Sequence, residues 1–168
     1  MLNINRLKIL SFHNSIESSV VYFENGIIKE AISEERFTRV KNYRGLPKKS
    51  IDYIFSKYNL NFKKLDFVIS GIIDSKYPNK DIKKKFDDKL EHILKEKKPK
   101  KFKKKFYERI DTEIKWNEKC LNEIVSYSKN NNFFDKLILV DHHKSHAASA
   151  YFCSPFKSAQ VFTFDGKG

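Results

Sequence analysis

Histidines are concentrated in one short segment of the chain, and their spacing suits metal binding. Three of the five histidines fall at His142, His143 and His146, directly after an apolar run that ends at Val140. On a helix, His142 and His146 would be one turn apart and face the same way, so two neutral imidazoles could reach one metal ion. The small residues at 147–150 would let that helix approach a sheet or a ligand closely. A polar strand-to-helix turn is the alternative, and it explains a lone histidine better than this cluster.

A carboxylate followed by a glycine comes after the next apolar run. Asp165 and Gly166 have the composition of a turn, and a glycine there also opens backbone amides to a phosphate or a metal ion. One helix and one strand separate Asp165 from His146, so the predicted topology brings both to the same end of the sheet. We therefore predict a site for Fe, Mn or Zn with His142, His146 and Asp165 as ligands.

Two further polar segments follow predicted strands nearer the amino terminus. His13 and Asn14 follow the first strand, at a position where a phosphate or acyl oxygen could be held. Residues 33–41, which include Arg39 and Lys41, form a dense charge cluster at the end of the third strand. By themselves the two patterns indicate a turn and a solvated charge run.

Apolar patterning predicts the elements that must position these segments. Asn25 and Gly26 are a strong hairpin signal, and the apolar spacing after Pro47 predicts a helix over 47–58. Runs of β-branched, aromatic or buried character predict strands at 7–12, 19–24, 27–33, 65–70, 136–140 and 160–164. A Lys-rich region at about 77–132, interrupted near Pro99, is interpreted as an exposed helical insertion packed on one face of the sheet.

The order of these elements predicts the fold class. Three antiparallel strands followed by parallel strands, with helices on both faces of a mixed sheet, is the α/β layout of a ribonuclease H-like half-domain. This is the unit that is duplicated in actin-like ATPases, and a layout alone does not assign a function. The length of 168 residues and the 40% hydrophobic content are enough for one domain with a real core.

Composition limits the classes of partner. The net charge of +13 first suggests nucleic-acid binding, but the excess is mostly Lys between Lys76 and Lys115 and suits a solvated surface as well. We therefore do not expect a nucleic-acid partner. The chain has no apolar run long enough to span a membrane and no signal-peptide pattern, so we expect a cytoplasmic protein without a membrane partner. Cys120 and Cys153 form no CxxC pair and are interpreted as buried small apolar residues.

Several segments, in the same order, resemble the O-carbamoyltransferases of the NodU/CmcH type, which act in nodulation-factor and antibiotic biosynthesis. The histidine block with its S-P-F tail and the E-E-R-F-T-R segment are the most specific of them. The matching pieces are F-H-N-S at 12–15, I-S-E-E-R-F-T-R-V-K at 32–41, L-P-K-K-S-I at 46–51, D-H-H-K-S-H-A-A-S-A-Y-F-C-S-P-F at 141–156 and T-F-D-G-K-G at 163–168.

The resemblance implies an activity. It implies an actin-like catalytic domain that binds ATP or a carbamoyl-adenylate and a divalent metal. That domain would pass a carbamoyl group from carbamoyl phosphate to a hydroxyl of a small-molecule acceptor. The roles it implies are metal binding by His142, His146 and Asp165, contact with the reacting carbamoyl group by His13, and contact with the nucleotide or carbamoyl phosphate by Arg39, Lys41, Asp165 and Gly166.

The resemblance also implies that residues 1–168 are the amino-terminal part of that domain. The rest of the domain and a YrdC-like domain that makes the carbamoyl-adenylate would be missing, so the fragment alone would be inactive and would expose apolar surface. The family usually has Asp after the first histidine, where this chain has Asn14. A homodimer of the full-length protein stays open. Two alternatives also stay open, a relative that transfers threonylcarbamoyl to tRNA and a basic nucleic-acid-binding module.

Overall fold

A mixed five-stranded sheet with helices on both faces makes up the described part of the chain. The computed structural model describes residues 6–72 and 99–163. The strand order in the sheet is β3-β2-β1-β4-β5. In chain order the elements are β1 (Lys8–His13), β2 (Ser19–Glu24), β3 (Ile27–Ser33), α1 (Glu35–Thr38), α2 (Lys48–Tyr58), β4 (Phe67–Ile72), α3 (Pro99–Asn130), β5 (Leu137–Asp141) and α4 (His142–Phe152), with short 3-10 turns at Phe62–Lys64 and Phe134–Lys136.

The strand directions follow from the connections. β1 pairs antiparallel with β2, and β2 pairs antiparallel with β3. The turn between β2 and β3 has positive φ at Asn25 (53°) and Gly26 (82°), which matches the twist of a two-residue hairpin. β1, β4 and β5 are parallel neighbours, and parallel strands need long crossovers such as those containing α2 and α3. The predicted α/β class and mixed sheet are confirmed.

One face of the sheet carries the main hydrophobic core. Alternate residues of the strands point into it, because side chains along a strand alternate between faces. Ile51 and Ile54 of α2 and Ile124 of α3 cover these strand residues, and Phe62 stacks on Phe133 with ring centroids 4.1 Å apart. The buried strand residues of this core are Leu10, Phe12, Val20, Tyr22 and Val68.

Helix α4 lies on the opposite face. Val68 and Ser70 point into the core, so the intervening residues of β4 face the other way. A Cβ added to Gly71 would lie 3.7 Å from Ser145 Oγ, which places α4 directly over this face. Asp141 fixes the start of α4, because its side chain accepts a hydrogen bond from the Lys144 backbone N–H at 3.0 Å.

The structure contradicts the predicted strand at 160–164 and the predicted burial of Cys120 and Cys153. The predicted strand at 160–164 does not form over Gln160–Thr163, and Phe164 lies outside the described residues. A strand needs a neighbouring strand for its backbone hydrogen bonds, and here Phe162 is 74% exposed. Cys153 is exposed and Cys120 is half-buried, so neither is the fully buried residue that was expected.

The Lys-rich insertion is described only in part. Residues 77–98 lie outside the described residues, and from Pro99 to Asn130 the chain forms one continuous helix. Proline suits the first turn of a helix because its missing N–H would be unpaired there anyway. Within the described ranges, no helix is both long and apolar enough to cross a membrane.

Candidate functional site

The topology brings His13 and the histidine helix to the same end of the sheet. β1, β4 and β5 are parallel, so their carboxyl ends lie together. His13 is the last residue of β1, and His142 begins α4 directly after the last residue of β5. Because neighbouring strands are about 4.8 Å apart, the ends of β1 and β5 are separated by about 10 Å across β4.

The Nε2 atoms of His142 and His146 lie within hydrogen-bond distance of each other, across one turn of α4. Their Nε2 atoms are 3.1 Å apart, and their ring centroids are 4.5 Å apart. Two nitrogens bound at about 2.0–2.1 Å to one ion, at tetrahedral or octahedral angles, lie about 2.9–3.4 Å from each other. The donor set therefore fits a divalent cation. Asp165 lies outside the described residues, and no group of three or more metal-binding side chains occurs among the described ones.

The chain returns to this histidine helix shortly before Asp165. His143 Nδ1 lies 3.1 Å from Thr163 Oγ1, and Thr163 precedes Asp165 by two residues. This contact holds Thr163 at the first turn of α4. Asp165 and Gly166 lie outside the described residues, and the strand that was expected to carry Asp165 to this end of the sheet does not form over 160–163.

Two effects disfavour the protonated form of His13. Burial lowers the pKa of its side chain, and the charge of His142 lowers it further, while a hydrogen bond with the Ile16 backbone opposes both. A histidine whose pKa is lowered favours the neutral form, which can accept a proton.

Arg39 and Lys41 lie in a different pocket. It has a volume of about 240 Å³, and its lining residues are Glu35, Arg36, Arg39 and Lys41. In the sheet register Ser33 faces Ser19, and Ser19 faces His13, so α1 starts two strands away from His13 at the same end of the sheet. The starts of α1 and α4 therefore lie on opposite sides of His13, each two strands away at the same end of the sheet. Arg36, which sequence reasoning did not select, adds a third cation, and its i, i+3 spacing to Arg39 was the available signal.

The sequence matches a protein-family model described as carbamoyltransferase N-terminus over residues 7–168. The chain belongs to this family. It is 29% identical over 163 residues to the uncharacterized protein sll1178 of Synechocystis, covering 90% of this chain and 24% of that relative. It is 51% identical over 51 residues to the uncharacterized protein MJ1051 of Methanocaldococcus jannaschii, covering 30% of this chain and 9% of that relative. The chain thus spans about a quarter or less of the length of the curated relatives it matches.

In this member of the carbamoyltransferase N-terminus family, the charge cluster at 33–41 is not uniformly solvated. Glu34 is only 2% exposed, contrary to the prediction of a solvated run. Its carboxylate accepts hydrogen bonds from the Lys49 N–H (3.0 Å), the Ser50 N–H (2.8 Å) and the Ser50 hydroxyl (2.6 Å). Glu34 therefore caps the start of α2 and fixes the chain just before α1. No local pattern distinguishes it from the exposed charges around it.

An apolar groove runs along α4 on the side of its small residues. It has a volume of about 330 Å³ and is mostly apolar. Phe152 beside it is 79% exposed. Its lining residues are Lys144, Ala147, Ala148, Tyr151, Phe152, Ala159 and Val161. The small residues of α4 thus leave room for another group as well as allowing the helix to approach β4.

Proposed function

We propose that the whole protein is an O-carbamoyltransferase. It transfers a carbamoyl group from carbamoyl phosphate, through a carbamoyl-adenylate made with ATP, to a hydroxyl of a small-molecule acceptor. Membership of the carbamoyltransferase N-terminus family over residues 7–168 carries this proposal. We further propose that residues 1–168 are the amino-terminal part of an actin-like catalytic domain of the NodU/CmcH type, inactive without the remainder.

His142 and His146 are the residues we assign to a divalent metal ion, Fe, Mn or Zn. Their 3.1 Å Nε2 separation supports this assignment, and Asp165 is the third ligand we propose. A metal bound there would neutralise negative charge that develops on a phosphate or carbonyl oxygen. The Asp141 side chain is already occupied as the cap of α4, so we do not assign it to the metal.

His13 is the residue we assign to proton transfer. Burial lowers the pKa of the ring and favours its neutral form, which can take the proton of the acceptor hydroxyl as the oxygen attacks the carbamoyl carbon. The bond from the carbamoyl carbon to the adenylate oxygen breaks in the same transfer, and AMP leaves.

Arg39 and Lys41 are the residues we assign to phosphate binding, with Asp165 and Gly166 near the nucleotide. Arg36 lines the same pocket and adds to its positive charge. Cations near a phosphate stabilise its charge, and Arg can form two parallel hydrogen bonds to it. The pocket is open and lies near the same end of the sheet as His13, so it suits a group that reaches the site from solvent.

The test measures metal content and turnover in the full-length protein, wild type beside His142→Ala. We expect about one metal ion per chain in the wild type, pyrophosphate and AMP release from ATP only when carbamoyl phosphate is present, and loss of the metal in His142→Ala. Lys144→Gln is the matched control, because it changes an exposed side chain of the same helix without removing a proposed ligand, and it should retain the metal.

Two outcomes would contradict the proposal. A wild-type protein that binds no metal and does not respond to carbamoyl phosphate would show that the histidine block is structural. Equal metal loss in His142→Ala and Lys144→Gln would show that the change in metal content reports damage to α4 rather than loss of a ligand.

A further inference from the structure

We propose that helix α3 positions the His13 side chain through its contacts with the loop that follows His13. Trp116 on α3 and Asn14 in the loop are the residues through which it acts. The proposal concerns the loop at 14–16, which joins β1 to β2 and follows His13 directly. It rests on the proposed function only in assigning chemistry to His13. The contacts that carry it come from a helix that sequence reasoning interpreted as a solvated insertion.

The first contact is between Asn14 and the middle of α3. The Asn14 side chain is 2% exposed, and its Nδ2 donates hydrogen bonds to the Cys120 carbonyl oxygen (2.9 Å) and to Glu123 Oε2 (3.1 Å). The Cys120 thiol lies 3.7 Å from the Asn14 carbonyl oxygen and donates to it. Asn14 is therefore fixed through both its side chain and its backbone. A buried amide with both partners satisfied has one favourable orientation.

The second contact is between Trp116 and the next residue of the loop. Trp116 Nε1 donates a hydrogen bond to Ser15 Oγ at 3.0 Å. The guanidinium of Arg44 lies 5.7 Å from the centre of the Trp116 ring, within range of a cation–π interaction. The backbone of Ile16 forms a bridge with Arg44. Successive loop residues are thus fixed by α3 and by the segment that precedes α2.

The loop in turn contacts the His13 ring. His13 is joined directly to Asn14 in the chain, and a hydrogen bond of its ring with the Ile16 backbone raises the pKa of the ring, against the larger effect of burial. A hydrogen bond at one imidazole nitrogen determines which nitrogen carries the proton, and leaves the other free to act as an acceptor. A displacement of the loop would therefore change the tautomer and the orientation of the His13 ring. The other residues around the ring would stay in place.

The test uses two small substitutions that remove one contact each. Trp116→Phe keeps an aromatic ring but removes the Nε1–H donor, and Ser15→Ala removes its acceptor. In the full-length protein we expect each substitution to lower kcat for carbamoyl-phosphate-dependent AMP release by about ten-fold. The KM for carbamoyl phosphate should change little, because a misplaced base affects the transition state more than it affects substrate binding. The double variant should lose no more than either single one, since both act through the same hydrogen bond.

Tyr58→Phe is the matched control. It also removes tertiary hydrogen bonds from an aromatic side chain, those of Tyr58 Oη to the Lys29 carbonyl at 3.0 Å and to Glu30 Oε2 at 3.3 Å, but on α2 and away from the loop. It should lower thermal stability to a similar extent as Trp116→Phe and leave kcat unchanged. If all three variants lower kcat together, the effect of Trp116→Phe is general loss of stability and the proposal is wrong.

A second measurement separates this proposal from the proposed function. Nitrogen-15 NMR of labelled histidine reports the tautomer of each ring directly, with His13 assigned from a His13→Gln variant. We expect one tautomer of His13 in the wild type and averaged or reversed nitrogen shifts in Trp116→Phe and Ser15→Ala. Altered shifts in a protein without carbamoyl transfer would support the positioning role and refute the proposed function. Unaltered shifts with unaltered kcat would refute the positioning role alone.

Discussion

The buried carboxylate of Glu34 provides the sharpest test of how this fold is stabilised. Its two oxygens accept hydrogen bonds from three donors at 3.0, 2.8 and 2.6 Å, all at the first turn of α2. Glu34→Gln keeps the shape of the side chain but replaces one oxygen with an NH₂ group. If the remaining oxygen stays on Ser50, the new NH₂ group faces the Lys49 N–H, and two donors oppose each other.

The expected loss of stability follows from these contacts. The lost bond to the Lys49 N–H costs about 1.5 kcal/mol, and the two bonds to Ser50 weaken by about 1 kcal/mol each when the acceptor becomes neutral. The missing charge at the helix amino terminus adds about 0.5 kcal/mol. Against this, a neutral amide is easier to bury than a carboxylate, by about 1–2 kcal/mol here. We expect a net loss of about 2–3 kcal/mol, or a fall in Tm of about 4–12 °C for a chain of this size.

Thermal and urea unfolding followed by circular dichroism measure this loss. Glu118→Gln, the same substitution at an exposed position on α3, is the control and should change stability by less than about 0.5 kcal/mol. Ser50→Ala should cost about 1.5 kcal/mol, and the double variant Glu34→Gln/Ser50→Ala should lose about 1 kcal/mol less than the sum. Strict additivity, or a Glu34→Gln variant as stable as Glu118→Gln, would refute the interpretation of Glu34 as the cap of α2.

Three further predictions concern other residues. Asn14→Asp places a carboxylate against Glu123 Oε2, so we expect a loss of about 2 kcal/mol in urea unfolding that the added Glu123→Gln substitution recovers. An equal loss in Asn14→Asp and in the double variant Asn14→Asp/Glu123→Gln would contradict the contact between these two side chains. Exposed Cys153 should react with a thiol reagent at least about ten times faster than Cys120, whose pKa is raised, mainly by burial. Peptide mass spectrometry after brief labelling measures the difference, and equal rates would show that α3 detaches readily. Phe152→Ser should shift the mass of the 168-residue chain toward the monomer in light scattering, because this ring is 79% exposed. An unchanged mass would assign any association to another surface.

Local patterns in the sequence were sufficient for most of the sheet. β2 and β3 match the predicted bounds, and the hairpin at Asn25 and Gly26 forms as expected. The helix after Pro47 also forms, because the spacing of Ile51, Ile54 and Phe55 is a property of neighbouring turns. Each of these signals lies within a few residues of the structure it predicts. The pairing of His142 with His146 belongs to the same class, since i, i+4 spacing on a helix fixes it.

Features that depend on distant partners could not be predicted in this way. The apolar alternation at 160–164 is typical of a strand, but whether a strand forms depends on a neighbour that the pattern does not identify. Glu34 is followed by Glu35 and Arg36 in a charged run. Nothing in this run shows that the Glu34 carboxylate would accept hydrogen bonds from the N–H groups at the start of α2. Burial of a charged residue follows from the tertiary position of its donors rather than from its neighbours in the chain.

Among the features that depend on distant partners, the contact between α3 and the loop after His13 joins the residues that are farthest apart in the sequence. It also has the largest consequence for the proposed function. Asn14 and Glu123 are 109 residues apart, and the helical periodicity of α3 predicts an apolar face without identifying what that face meets. The polar contacts at 116, 120 and 123 follow i, i+4, i+7 spacing, so they form a second stripe beside the apolar face of the helix, and periodicity does not show that this stripe meets the loop. The family usually has Asp where this chain has Asn14, and an Asp there would face the Glu123 carboxylate at the distance of a hydrogen bond. Asn14 and Glu123 must therefore be considered together when His13 is tested.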